Sequence, residues 1–402
     1  MGDVAVTLVL RFADVGVATY ASLRVVGEPA RTVTWVVQEP ELVAALDQLS
    51  AVLPDPVAQE TRRDALERAI ANGPFSAPDT ELAIARTLGL SLLAPGAWQL
   101  LLDCVASPRA ALFVSPSARL ARVPWGLLAM PGDDGYRLME LADVLMAAPS
   151  NIVNSARTPA DWNDRRNGPP LLLLDPRVPG QRPDSALGSV LGRPSAETAL
   201  AQHFTELMRA RPVLPDVPSA VELFRRSDAD RPWLGRQLDQ APSRLLYVGH
   251  ATAADGDVGH AYLAALHLAD ERPLTAADLM SAKLPMPPRI AMIACASGGD
   301  YQFDEATGLV AAMILGGAQL VTATLWSLPT AAGYRQFAPA AGDHDPMAEA
   351  IIAVDRAHQD ADAGRAVNHW QRQQMRRWRD GDTSASPLYW AALATFAVDG
   401  AR

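Results

Sequence analysis

The chain has 402 residues, a formal net charge of −10 at pH 7 and a pI near 5.2. Apolar residues make up 49% and charged residues 20%, which excludes a disordered chain and suffices for two ordinary domains or one large domain with an appendage. The acidic balance excludes a general nucleic-acid binder, which needs a basic face. One basic stretch, Arg372 to Arg379 (RQQMRRWR), reads as a solvated helix face. Two cysteines, Cys104 and Cys295, in unlike contexts suggest neither a disulfide framework nor a zinc site. The N-terminus (MGDVAVTLVLRFAD) lacks the basic region and cleavage site of a signal peptide, and no apolar run is long enough to span a bilayer. The expectation is a soluble, cytoplasmic protein with no membrane partner.

Residues 1–38 alternate and are rich in Val and Thr, which predicts three strands: VAVTLVLRF, TYASLRVV and RTVTWVVQ. Residues 40–53 and 57–72 read as amphipathic helices, the second opening on prolines. The first 84 residues thus read as a small α+β region. Strand–helix alternation follows. Helices are expected at 80–90, 96–106, 195–209 (Ser195 as N-cap), 219–224 and 307–315, the last ending at Gly316-Gly317. Buried strands are expected at 109–116, 171–174, 244–248, 289–294 and 319–325, with 137–150 strand-rich. The stretches 161–170 and 175–194 read as loops. This spacing predicts an α/β fold with a mostly parallel sheet covered on both faces, and chemistry beyond the C-terminal ends of its strands.

Two strand ends stand out: Leu245-Leu246-Tyr247-Val248-Gly249-His250-Ala251 and Ile290-Ala291-Met292-Ile293-Ala294-Cys295-Ala296-Ser297-Gly298-Gly299. Each delivers one reactive side chain from an apolar strand and continues in small residues that let a substrate approach. The separation, 295 − 250 = 45 residues, leaves room for one strand and one helix, so the tips fall on neighbouring or near-neighbouring strands. Taken singly, a Cys ending an apolar strand is usually a small buried hydrophobe, and a lone His after Gly is unremarkable. Together they make a nucleophile and its base. A free thiol has a pKa of about 8.5, so Cys295 needs the His250 imidazole to take its proton and later return one to a leaving amine. The backbone N–H groups of Cys295 and Ala251 are the candidate oxyanion donors. Cys104 reads as core. His260 and His267 follow no strand–Gly junction and are set aside.

These segments resemble the CHAT peptidases, a caspase-like cysteine-peptidase family related to separase (clan CD). V-G-H-A-T and I-A-C-A-S-G match its two catalytic boxes. LFVSPSARLARVPWGLLAM (112–130), RLMELADVLMAAPS (137–150), ILGGAQLVTATLW (314–326) and SPLYWAALATFAVDG (386–400) match its other landmarks in order. The resemblance implies a caspase-like domain over 85–402, with a degenerate half (85–235) and a catalytic half (236–402) after the 1–84 region. It implies peptide cleavage by Cys295 and His250 without a cofactor. Ala296 stands where the family often carries Glu, and helical repeats often fused to it are absent.

In a caspase-like fold the loop after the nucleophile flanks the pocket for the residue before the scissile bond. Asp300, Asp304 and Glu305 on that loop, with Asp255 and Asp257 after the His, would favour Arg or Lys there. They equally suit a solvated loop or a helix cap. Trp326 suits a pocket wall or the core. The expected function is a regulated endopeptidase cutting a partner protein in bacterial defence or cell death, controlled through the N-terminal region by an activating partner, an effector or self-cleavage. The alternatives are a silent caspase-like scaffold, or a Cys–His hydrolase of small amides or thioesters.

Overall fold

The computed structural model describes residues 6–106, 109–132, 135–183, 185–252, 260–294, 308–338 and 342–398. The chain is mixed α/β, with mostly parallel sheet flanked by helices. It divides into two compact units: residues 1–147, 334–344 and 368–394, and residues 148–333, 345–367 and 395–402. Among the described residues, no helix is long and apolar enough to cross a membrane.

In the first unit, β1 (Thr7–Asp14), β2 (Ala18–Val25) and β3 (Glu28–Gln38) form the expected antiparallel meander. Alternation drives it: Leu8, Leu10 and Phe12 point inward beside Ala21 and Leu23. The two tight turns use Gly16 (φ +87°) and Gly27 (φ +85°), values glycine adopts without strain. These strands are not a separate layer. β1 pairs in parallel with β4 (Ala110–Ser115), Leu8 opposite Leu112, and β4 pairs in parallel with β5 (Ala142–Ala147). Helices start at prolines in Glu39–Val52, Pro78–Leu92 and Pro95–Leu102. The 57–72 helix is shorter than expected. Thr61 and Asp64 form a capping box that starts it at Arg62, and its last turn, Arg68–Asn72, widens to π geometry. The 137–150 segment opens as a helical turn, Leu138–Leu141, before β5.

The basic stretch is a correction. Residues 368–379, the end of the helix Ala363–Arg379, pack in this unit rather than present a solvated face. Arg372, Met375 and Trp378 are buried. Arg372 donates to Asp143 at 2.8 Å and to the Met139 carbonyl at 3.2 Å, and Arg379 pairs with Glu140 at 2.8 Å. Asn368 bonds both the N–H and the C=O of Val144 at 2.9 Å. Charge counting missed this because the partners lie more than 220 residues away in sequence.

The second unit contains β6 (Leu171–Leu174), β7 (Arg244–Val248), β8 (Ala251–Thr252), β9 (Ala265–Leu266), β10 (Leu274–Thr275), β11 (Arg289–Ile293), β12 (Leu320–Thr324) and the Thr395–Ala397 end of β13 (Leu393–Ala397). The order β12-β11-β7-β6 is parallel throughout, and every residue of these four strands is buried, so both faces are covered. β8, β9 and β10 form a small antiparallel sheet. The 195–209 helix runs Ala199–Ala210, because Thr198 rather than Ser195 caps it, accepting from the Ala201 N–H.

The N-terminal strand ends are committed to structure. Arg244, opening β7, pairs with buried Asp355 at 2.9 Å, which also bonds His203. Arg289, opening β11, donates to the carbonyls of His358 (3.0 Å), Asp360 and Ala361 (2.7 Å), and stacks 3.6 Å from the Trp162 ring. The opposite ends of the same strands lead into the His250 and Cys295 segments.

Candidate active site

β7 and β11 are neighbours, in parallel register with Tyr247 opposite Met292 and Val248 opposite Ile293. In sequence His250 stands two residues after Val248, and Cys295 two after Ile293. Cys295 lies outside the described residues, as do Asp255, Asp257, Asp300, Asp304 and Glu305. The residue before Cys295 is fixed: Ala294 is buried, and its carbonyl accepts from the Thr324 hydroxyl at the end of β12.

The turn that carries His250 is held at several points. Gly249 donates to the Ile293 carbonyl at 3.3 Å. A Cβ at Gly249 would sit 2.8 Å from the Tyr247 hydroxyl and 3.3 Å from Pro176, so close approach demands glycine here. The buried Tyr247 hydroxyl reaches the His250 carbonyl at 2.6 Å and the His267 carbonyl at 3.0 Å. The His267 N–H also donates to the His250 carbonyl, at 3.0 Å.

The imidazole has a defined partner. His250 Nε2 lies 3.0 Å from the carbonyl oxygen of Gly188. A carbonyl only accepts, so this bond requires a proton on Nε2; in the neutral ring the basic nitrogen is then Nδ1. The ring of His267 stands edge-on, its centroid 6.5 Å from that of His250. Its Nε2 lies 2.6 Å from the Thr252 hydroxyl. Burial, and then electrostatic interaction with the His250 ring, push its pKa below the ordinary histidine value.

Ala251 opens β8 opposite Leu266 of β9. Because the His267 N–H bonds the His250 carbonyl, Ala251 occupies a non-hydrogen-bonded position of the ladder, and its own N–H points away from β9. Trp326, two residues past β12, is fully buried. His260 lies edge-on to Tyr262, with ring centroids 6.3 Å apart. Sequence reading missed Gly188 and His267. A backbone acceptor leaves no signature in residue type, and His267 follows no strand–glycine junction.

Comparison with known proteins agrees with the motifs. The model of the CHAT domain matches residues 82–400, and the chain belongs to the CHAT domain family. The chain is also similar to Saccharomyces cerevisiae separase in two solved separase–securin complexes. Identity is 10% and 12% and the TM-score 0.46 and 0.45. Each alignment covers 98% of this chain and 30% of the separase chain, so the chain spans under a third of that protein's length. No curated protein matches the sequence.

Proposed function

We propose that the chain is a regulated cysteine endopeptidase with Cys295 as nucleophile and His250 as acid and base. The observation that carries this reading is the His250 imidazole, oriented by the Gly188 carbonyl with Nδ1 as its basic nitrogen, two residues past the strand that neighbours β11. Nδ1 takes the thiol proton as sulfur attacks the peptide carbonyl, then gives it to the leaving amine. The N–H groups of Ala251 and Cys295 stabilise the oxyanion.

The acyl thioester is hydrolysed in a second step that uses the same imidazole. Asp255, Asp257, Asp300, Asp304 and Glu305 set a preference for a basic residue before the scissile bond, and buried Trp326 backs the pocket. The division into an N-terminal region (1–84), a degenerate half (85–235) and a catalytic half (236–402) belongs to this reading. So does a cytoplasmic role in bacterial defence or programmed cell death, with an activating partner or effector acting through the N-terminal region.

A peptide-library profile tests it. Wild type is expected to cleave after Arg or Lys, and Cys295→Ala and His250→Ala to lose cleavage by at least about 10³-fold. Equal product from wild type and Cys295→Ala overturns the reading and leaves the scaffold alternative. Turnover of small amides with intact peptides untouched favours the hydrolase alternative.

A further inference from the structure

We propose that Asp175 is a positioning residue for the site: its buried carboxylate, acting with Ser189 and Arg225, holds the Gly188 carbonyl against His250 and thereby fixes which ring nitrogen is basic. The consequence for turnover rests on the peptidase reading; the consequence for the imidazole does not.

Asp175 directly follows β6 and has no solvent exposure. Its backbone is locked by an N–H bond of 2.6 Å to the Val248 carbonyl, two residues before His250. Its φ of +50° is a left-handed value that Asp tolerates better than most residues. An isolated buried carboxylate is costly, so it needs donors. Four reach it. Oδ2 accepts from the Ser189 hydroxyl at 2.6 Å and the Leu191 N–H at 3.4 Å. Oδ1 accepts from the Val190 N–H and from Arg225 Nη1, each at 3.3 Å. The carboxylate thus gathers residues 189–191, the segment that begins one residue after the carbonyl in question.

Arg225 closes the clamp from the other side. The same Nη1 donates to the Gly188 carbonyl at 2.9 Å. The Arg225 backbone N–H donates to the Leu174 carbonyl at 3.1 Å, so both members of the ion pair are anchored to the end of β6. The Gly188 oxygen then carries two donors, Arg225 and His250 Nε2, which matches its two lone pairs. The segment leaves no slack. A Cβ at Gly188 would fall 2.2 Å from the Pro183 carbonyl oxygen, and Ser189 N–H bonds that same oxygen at 2.9 Å.

This arrangement meets the His250 ring through the carbonyl. A carboxylate directly on the ring would strengthen it as a base. A neutral carbonyl held by a compensated ion pair instead selects the Nε2–H tautomer and the ring orientation without adding net charge. Loosening the carbonyl frees the ring to turn and mixes the tautomers, which removes Nδ1 as base in part of the population.

Two readouts test this. The first is the ring-nitrogen NMR spectrum of His250 in the Cys295→Ala chain labelled with [15N]histidine, assigned by His250→Gln. The expected spectrum is a single Nε2–H tautomer, replaced by averaged shifts in Asp175→Asn and Arg225→Met and by a smaller change in Ser189→Ala. The second is turnover with Cys295 intact. A kcat lowered about 10- to 100-fold with KM within about twofold is expected for Asp175→Asn and Arg225→Met, with Arg225→Lys retaining more activity than Arg225→Met.

A folded Asp175→Asn with an unchanged His250 tautomer and wild-type kcat overturns the proposal, even if its melting temperature falls. Should Asp175→Asn not fold, Ser189→Ala decides by the same two measurements. Should the wild type cleave no peptide, the peptidase reading fails, and the tautomer measurement still decides the role of Asp175.

Discussion

At the scale of single residues, the His250 turn depends on one hydroxyl and one missing methyl. Tyr247→Phe removes the group that reaches the carbonyls of His250 and His267. The expected result is a several-fold lower kcat with a melting temperature reduced by a few degrees at most, since one hydrogen bond contributes about 1 kcal/mol. Gly249→Ala is expected to be worse on both counts, because its methyl meets that hydroxyl at 2.8 Å. Combining the two recovers part of the loss, since the closest contact is then gone; additive losses in a thermal-melt and kinetic double-mutant cycle would refute this account.

The His250 and Cys295 segments were legible in sequence as apolar runs ending in one reactive side chain and small residues. The groups that fix the imidazole were not. Gly188 acts through its backbone, and Asp175 and Arg225 are joined only by the folding of an irregular loop. Gly188 and Asp175 sit in the 175–194 stretch, whose Pro and Gly content spoke only of a loop, and Arg225 directly follows the expected 219–224 helix.

At the scale of elements, periodicity located most strands and helices, and capping chemistry set their ends. Helix starts slipped by a few residues where a local cap decided them, but the larger failure has another cause: partners distant in sequence. The Arg372–Arg379 stretch looked solvated until Asp143 and Glu140 came beside it. The pair of Glu81, on the helix Pro78–Leu92, and Arg137, just before the helix Leu138–Leu141, is of the same kind. The two meet at 2.6 Å with almost no exposure. Burial pushes Glu81 up to about 6, with Arg137 as the main opposing influence, so the carboxylate is charged at neutral pH because of its partner. Arg137→Met strands that charge and is expected to cost about 3–5 kcal/mol in urea denaturation, whereas Glu81→Met with Arg137→Met costs much less. A double variant as unstable as the single one would show that packing, not charge pairing, dominates there.

At the scale of the whole molecule, the second unit carries a titrating weight. His358 follows the helix Pro346–Ala357, bonds Thr322 at 2.8 Å and is fully buried. Burial, then the positive charges of Arg289 and Arg244, push its pKa down to about 3, from 6.5 in an unfolded chain. The unfolded state therefore binds the extra proton first as pH falls. The stability tied to neutral His358 is whole above pH 6.5 and is lost progressively down to about pH 3, a drop of roughly 3–6 kcal/mol. Urea midpoints at pH 7, 5.5 and 4 are expected to decline more steeply in wild type than in His358→Gln. Parallel declines would remove His358 from the explanation.

The pairing of Leu8 with Leu112 joins residues 104 apart (112 − 8), and closing such a loop costs about 4 kcal/mol of chain entropy before any contact returns it. The debt is heavier because Val144 and Asp143 on β5 wait for Asn368 and Arg372, synthesised more than 220 residues later. On the ribosome, then, the meander emerges well before residues 368–379, and cannot reach its final enclosure until they too are synthesised. Nascent chains arrested before residue 368 should be readily digested by protease, and those arrested with residue 398 clear of the exit tunnel should resist it.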